Sequence, residues 1–537
     1  MRRLEGMLNA ATTRRRNASA MAVGTLLSRI SGLARLAVVA WALGISSLSD
    51  VFNLSNNAPN TFYDLLVGGV LASTMIPVMV KASSRVSDKE AWEALSAIVT
   101  VALATLIAAT LIFELVAGLI IHGYMLGNHS PTRDIQLAAA TNLLRFFAPQ
   151  LFFYGLISVF TSLLNTRGRF ALPAFAPIAN NVIAIVTLIA FHFAFARLSP
   201  VAAIGALSHM SGSLLLLGIG TTAGVAMQCL VIIFGMRNRG YRLRLNFDLF
   251  PPAVREIGRM SGWTFGYVLG NQVSLFVILA LADAHSAGSV SAYNNSYLFF
   301  QLPYGIAAYS IMAAIIPGLA ANHAHGERRQ FRVSLTRGTR ISVALLIPAA
   351  LLYLAMGRQL VMILLGHGAA TSHGIDLTTA SLYALALGLP GFGAFLASVQ
   401  GLQAARLARQ VFWVYAIENA LTIVLALALV ARYGVFGLSL SVSIAYSVSA
   451  IFALRVLAKQ RLAPYLGSMF VSWAKFLLPS IAMAVVIKLA SRGLGNATGA
   501  KLILELIAEL VGGILAFTAT LWLAYLFSTI PKHRRAH

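Results

Sequence analysis

The amino-acid sequence predicts an all-α polytopic membrane protein of about 14 transmembrane helices, built as two parallel six-helix repeats plus two C-terminal helices. Three observations predict it. Of the 537 residues 58% are hydrophobic and only 10% charged, with a mean hydropathy of +0.80, against roughly 25% charged in soluble domains. The apolar residues fall in runs long enough to cross about 30 Å of hydrocarbon as helix. The basic residues, which give the net charge of +24, sit in short segments between those runs and alternate from one side to the other. Such a charge in a soluble chain would point to nucleic acid; here topology accounts for it, and no nucleic-acid partner is expected.

A basic segment, residues 1–21, carries Arg2, Arg3 and Arg14 to Arg16 and leads directly into a long span, so no removable signal peptide is expected. The first lobe, 22–236, holds spans at 22–44, 49–80, 94–121, 136–164, 172–196 and 215–236. The second, 237–462, holds spans at 256–283, 288–321, 338–357, 374–404, 410–431 and 436–458. A C-terminal addition, 463–530, holds spans at 469–490 and 503–529, followed by a basic tail, 531–537. With the N-terminus and every second connection on the cytoplasmic side, 29 of the 40 Lys and Arg lie there, 7 lie opposite and 4 lie within spans. A wrong span count would scramble that alternation from the error onward, so both termini are expected in the cytoplasm.

The two lobes echo each other. Ser28-Arg29-Ile30-Ser31-Gly32 in span 1 resembles Gly258-Arg259-Met260-Ser261-Gly262 at the start of span 7. Asn56-Asn57 followed by Ile76-Pro77 in span 2 matches Asn294-Asn295 followed by Ile316-Pro317 in span 8. Six spans per half place both halves in the same orientation, the arrangement of transporters that hold cargo between their halves and alternate access by rocking.

Arg29 and Arg35 lie inside the first span, about 9 Å apart along the helix axis. A charge in hydrocarbon is costly and normally faces a protein-lined cavity, so this pair points to an anionic cargo; snorkelling is the plainer account for Arg29. Span 2 opens with Asn53, Asn56, Asn57, Pro59, Asn60, Tyr63 and Asp64. Pro59 should bend the helix, and the asparagines can take up the freed backbone groups or line a wet cavity. Asp64 is at the depth of Arg35, so a salt bridge between them stands beside a cargo or proton role. Asp50 at the outer mouth reads most simply as a helix cap. Glu114 and Arg145 read as a structural pair, and Glu505 with Glu509 as an exposed stripe. Asn271, Glu418 and Asn419 are candidate oxygen donors for a coupling cation, sodium or proton. The single cysteine, Cys229, excludes an intrachain disulfide, and neither metal-ligand spacing nor a catalytic constellation is present, so no resident cofactor and no enzyme activity are expected.

At these residues the chain resembles the MurJ/MviN family of lipid II flippases, within the superfamily that also holds multidrug extruders and polysaccharide flippases. The resemblance rests on Ser28-Arg29 through Arg35, Ser49-Asp50, Pro59-Asn60, and Gly69 with Ile76-Pro77. Its most specific run is Asn165-Thr166 to Arg169-Phe170, then Pro173 to Pro177, leading to Asn181. It implies a fourteen-helix fold, a cargo pyrophosphate met by Arg29 and Arg35, and a functional role for Asp50; Asn60 and Asp64 are further candidate binding residues by their place in span 2. Where well-studied members carry an arginine pair in span 2 this chain has Tyr63-Asp64. Where they carry a charged pair in span 8 it has Tyr297-Leu298, with Gln301 in place of an acid; the stretch Asn294 to Tyr304 looks like the actinobacterial branch. The resemblance implies flipping of a lipid-linked peptidoglycan precursor across a bacterial plasma membrane, with membrane lipids and cell-wall synthesis proteins as candidate partners. The alternatives are a cation-coupled multidrug or metabolite antiporter of the same architecture, and a non-transporting cell-wall scaffold.

Overall fold

The computed structural model describes residues 2–65, 88–166, 169–195, 198–237, 262–493 and 500–529, which form sixteen α-helices and no strand. The far half of span 2 with Gly69 and Ile76-Pro77, the stretch 258–261 of the internal repeat and the tail 531–537 lie outside the described residues.

Two compact units emerge from the packing. The first comprises residues 1–287 together with 368–370; the second takes in 288–367 and 371–537. The first unit contains α1 (Arg2–Leu43), α2 (Ser47–Tyr63), α3 (Asp88–Tyr124), α4 (Arg133–Phe147), α5 (Pro149–Thr166), α6 (Ala171–Phe195), the short α7 (Pro200–Leu207), α8 (Gly212–Arg237) and α9 (Gly262–His285). The second contains α10 (Ser289–Pro303), a π-helical turn (Tyr304–Ala308), α11 (Tyr309–Ala324), α12 (Arg328–Leu365), α13 (Ser372–Ala404), α14 (Ala408–Lys459), α15 (Leu466–Gly493) and α16 (Ala500–Thr529).

Among the described residues eleven helical stretches are long and apolar enough to cross a membrane, and twelve if the bent pair α10 and α11 is one span. α4 and α5 count together as one, meeting at Ala148. The 52 residues of α14 would extend about 78 Å at ~1.5 Å per residue, far more than one crossing needs. The helix reverses at Gly434, whose φ of 56° and ψ of −137° only glycine adopts at low cost, and Gly437 lies against the carbonyl of Leu429. The spans read from sequence as 410–431 and 436–458 are the two arms of this turn.

Without a hydrophobic force between helices in lipid, close packing and interhelical hydrogen bonds hold the bundle. In the first unit Gly220 and Gly224 of α8 sit against Thr187 and Asn180 of α6, leaving no room for a Cβ. Ser55 of α2 donates to the carbonyl of Ala140 in α4 at 2.9 Å, and Phe52 meets Phe147 edge-on. α9 joins this unit through Phe276, which packs on Tyr124 and over Gly123 of α3. These units group helices that touch, whereas the sequence repeat groups helices of matching pattern; the two divisions answer different questions. In the second unit Gly388 and Gly391 of α13 receive Ser443 and Ser447 of α14, and Ser443 donates to the carbonyl of Ala384 at 2.7 Å. Ser381 bridges Ser296 and Ser439 in a buried hydroxyl chain.

Both α2 and α10 carry a proline near the C-terminal end and run into a π-type turn, at residues 64–65 and 304–308. Pro59 is accommodated inside α2, and the Asn60 amide donates back to the carbonyl of Asn56 at 2.8 Å within the same helix. Glu114 and Arg145 stand 4.0 Å apart, the structural pair the sequence suggested. The stripe at the start of α16 is corrected: Glu509 is only 5% exposed, on the same face as Leu506, which packs with Met483 and Ile487 of α15.

Replacing Gly434 with alanine should cost about 1–3 kcal/mol, because the new side chain is strained at positive φ. Gly318→Ala, where an added Cβ meets nothing within 4 Å, serves as the control. Thermal unfolding in detergent should show a lowered midpoint for Gly434→Ala alone.

Candidate functional site

The site is built on α1. Gly24 receives the ring of Phe175 from α6, where an added Cβ would come within 2.8 Å of it. One and two turns further along, the Asn181 amide donates to the Ser31 hydroxyl at 2.8 Å and to the carbonyl of Ser28 at 3.4 Å. Phe175 and Asn181 belong to the run Pro173–Asn181, and Ser28 and Ser31 to the run Ser28–Arg35. The two most distinctive stretches of the sequence are therefore two sides of one seam, which fixes the rotation of α1 and so the direction of its arginines.

Arg29 and Arg35 are half-buried. Arg35 lies near Tyr154 of α5, whose hydroxyl hydrogen-bonds the Asn180 side chain. Tyr63 packs its ring 5.5 Å from that of Tyr154 and hydrogen-bonds Ser158. The Asp64 carboxylate is engaged from the other side: Oδ2 accepts from Gln272 of α9 at 3.2 Å. Among the described residues neither Arg29 nor Arg35 is in an ion pair, so the Arg35–Asp64 salt bridge weighed from sequence does not form. The arrangement places Arg35 near the Tyr154 hydroxyl, while the Asp64 carboxylate is held by Gln272.

Asp50 is not the helix cap. Ser46 takes that position, its backbone N–H donating to the Ser49 hydroxyl at 3.0 Å, and Asp50 falls in the first turn, 3% exposed. There its charge meets the positive end of α2. Asn60 spends its amide on its own helix, as described above.

In the second unit Glu418 and Asn419 of α14 are 5% and 6% exposed. The Glu418 carboxylate accepts from Thr422 at 3.1 Å and stands in the field of Tyr293, Tyr297 and Tyr446. Asn419 donates to the carbonyl of Tyr415 at 2.8 Å. Asn271 lies on α9 in the first unit. Among the described residues no three His, Cys, Asp or Glu come together as a metal site.

Sequence reasoning missed Tyr154, Asn180 and Gln272. Gln272 adjoins Asn271, a polar pair inside an apolar span, and that adjacency was the available signal. Tyr154 carries none, because a tyrosine in a membrane helix is as readily a packing residue.

With this geometry the chain can be compared with known proteins. The family model described as lipid II flippase MurJ matches residues 39–506, most of the chain. The chain belongs to the lipid II flippase MurJ family. It is 25% identical over 377 residues to the lipid II flippase MurJ of Burkholderia cenocepacia, covering 68% of this chain and 69% of that protein. A probable lipid II flippase MurJ of Haemophilus influenzae is 24% identical over 479 residues, covering 86% and 90%. Among solved structures, a lipid II flippase MurJ in an inward closed conformation superposes with a TM-score of 0.74 at 22% identity, covering 95% of this chain and 99% of the other. An inward-facing multidrug transporter of the MATE family and MOP superfamily gives 0.67 at 13% identity, covering 80% and 94%. The fold is thus shared with both structures, and the family is that of the flippases.

Asn181→Ala removes both hydrogen bonds of the α1–α6 seam and should cost about 1–2 kcal/mol. The expected result is a lower thermal midpoint in detergent, together with new cysteine-crosslinking patterns between positions near Arg35 and Tyr154 as α1 loses its fixed rotation. An unchanged pattern would mean that Gly24 and Phe175 alone set the seam.

Proposed function

We propose that this protein flips a polyprenyl-pyrophosphate-linked peptidoglycan precursor, lipid II, from the inner to the outer leaflet of a bacterial plasma membrane. The observation that carries the reading is Arg35, a cation inside the first membrane span with no acidic partner among the described residues. Such a charge is tolerated where it meets an anion during the working cycle. A pyrophosphate offers that anion, and guanidinium groups bind phosphate oxygens with charge-assisted hydrogen bonds. The headgroup enters from the cytoplasmic side, where both termini lie, and meets Arg29 and Arg35, with Asp50, Asn60 and Asp64 bordering its route. The lipid tail stays in the bilayer. Rocking of the repeat-related halves then presents the headgroup outside, and no covalent step is involved. Cell-wall synthesis proteins that use the delivered precursor are the natural partners.

The tyrosines and Asp64 that replace an expected cationic cluster support a site in which hydroxyls orient the headgroup and two arginines neutralise it. The cycle is biased by the membrane potential or by a returning cation, sodium or proton, with Glu418 and Asn419 as its holders and Asn271 as a further oxygen donor. At about 2.3 kcal/mol per charge per 100 mV, one or two charges suffice.

In cells depleted of the protein and complemented with Arg35→Ala, lipid II should accumulate on the inner face, with outward delivery down at least tenfold, ~1.4 kcal/mol. Arg35→Lys should restore part of it. Normal delivery on depletion itself would overturn the cargo assignment, and full rescue by the alanine variant would remove Arg35 from the site.

Glu418→Gln should abolish the stimulation of transport by an imposed cation gradient while leaving lipid II binding in detergent intact. Separate sodium and pH gradients across proteoliposomes identify the ion, and a variant that still responds to both rules the carboxylate out.

A further inference from the structure

At the end of the first unit where α1 gives way to α2, the side that charge sorting places outside, a cavity of about 300 Å³ opens. All its lining residues lie within residues 47–287 and so within the first unit. The carboxylates of Asp50 and Asp283, 3% and 8% exposed, stand in its wall with the amides of Asn128 and Gln136, and the imidazoles of His129 and His285 lie at its edge.

The wall is held in place before any ligand arrives. The Asn128 amide nitrogen donates to Asp283 Oδ2 at 2.9 Å and to Gln136 Oε1 at 3.4 Å, while its oxygen accepts from the backbone N–H of Ser130 at 2.8 Å. Gln136 in turn donates to the Thr132 hydroxyl at 2.7 Å. These bonds lock the side chains in one arrangement, as a preorganised binding site requires.

Size and charge narrow the ligand. At about 30 Å³ per water the cavity has room for roughly ten, far more than a bare ion fills, and the residues do not form a three-ligand metal cluster. No lysine or arginine lines it; Arg133 acts on Asp283 from outside the lining, its Nε donating to the carbonyl of Met125 at 3.2 Å. Two carboxylates in the lining repel phosphate and carboxylate groups. A primary ammonium brings three donors and the opposite charge, and its bonds to carboxylate and amide oxygens are charge-assisted.

We propose that this cavity is a binding site for a primary ammonium group carried on a small hydroxyl-bearing molecule. The proposal does not rest on the flippase reading, because binding is measured without transport. Asp283 takes the ammonium, Asp50 supplies the second negative charge, and Asn128 and Gln136 meet the carrier's hydroxyls.

The test uses the full-length protein in detergent, with glucosamine at a pH where its amine is charged, and N-acetylglucosamine and glucose as neutral probes, read by saturation-transfer NMR. Glucosamine should bind at least tenfold more tightly than either neutral sugar, and Asp283→Asn should weaken it at least tenfold. Because that variant also alters the bond to Asn128, Ala287→Trp, which fills the cavity from an exposed position, provides an independent check and should abolish the signal. Equal binding of the neutral sugars, absence of glucosamine binding, or binding that survives both variants overturns the proposal.

Discussion

The structure depends on one constraint. In hydrocarbon a polar group has no water to turn to, so each must find its partner within the bundle or face a cavity that supplies one. The Asn181 amide satisfies this by reaching across to Ser31 and Ser28, and in doing so it sets α1 against α6. Gly24 permits the approach by leaving space for Phe175. Once α1 is fixed in rotation, the direction of Arg35 follows from helix geometry, six residues beyond Arg29 and four beyond Ser31. A single interhelical hydrogen-bond set therefore connects packing to the placement of Arg35.

The second unit meets the same constraint differently. Its interior is tied by serines, Ser296, Ser381 and Ser439 in one chain and Ser443 against the α13 backbone, with glycines wherever α13 and α14 touch. Around Glu418 the neighbours are tyrosine rings: Tyr293 stacks on Tyr297, and Tyr446 packs on Phe392 and Phe395. A carboxylate among aromatic faces suits a small cation, whereas the guanidinium beside Tyr154 suits an anion.

Much of this was legible in the sequence because membrane helices announce themselves. Long apolar runs and the alternation of Lys and Arg mark spans without any knowledge of packing, and Gly434 closes the short link between two of them. Pairing was legible for Glu114 with Arg145 but not for Arg35. Arg35 and Asp64 match in depth, and depth is all that a span assignment gives. Rotation about the helix axis decides whether heads meet, and rotation is set by contacts such as Asn181 with Ser31 that join residues 150 apart. Asp50 failed as a cap for a related reason: several serines at the mouth of α2 compete for that role, and the backbone turn chose Ser46. Glu509 was misplaced because glutamates one turn apart look like a solvated stripe, while the face they share with Leu506 is turned inward.

The replacement of expected arginines by Tyr63 and Asp64 sharpens the role of what remains. Had Asp64 paired with Arg35, the bridge would have neutralised the cation, and an incoming anion would have had to break it. Instead Gln272 holds the Asp64 carboxylate, and the hydroxyls of Tyr63 and Tyr154 are engaged by Ser158 and Asn180. Asp64, Tyr63 and Tyr154 thus each have a neutral hydrogen-bond partner. With no ion pair to Arg35 among the described residues, the guanidinium keeps its attraction for an anion. An arginine in this setting is costly to the resting protein, and an anion that reached it would compensate that cost. That difference between empty and loaded states is what a carrier needs if binding its cargo is to favour the next step of its cycle.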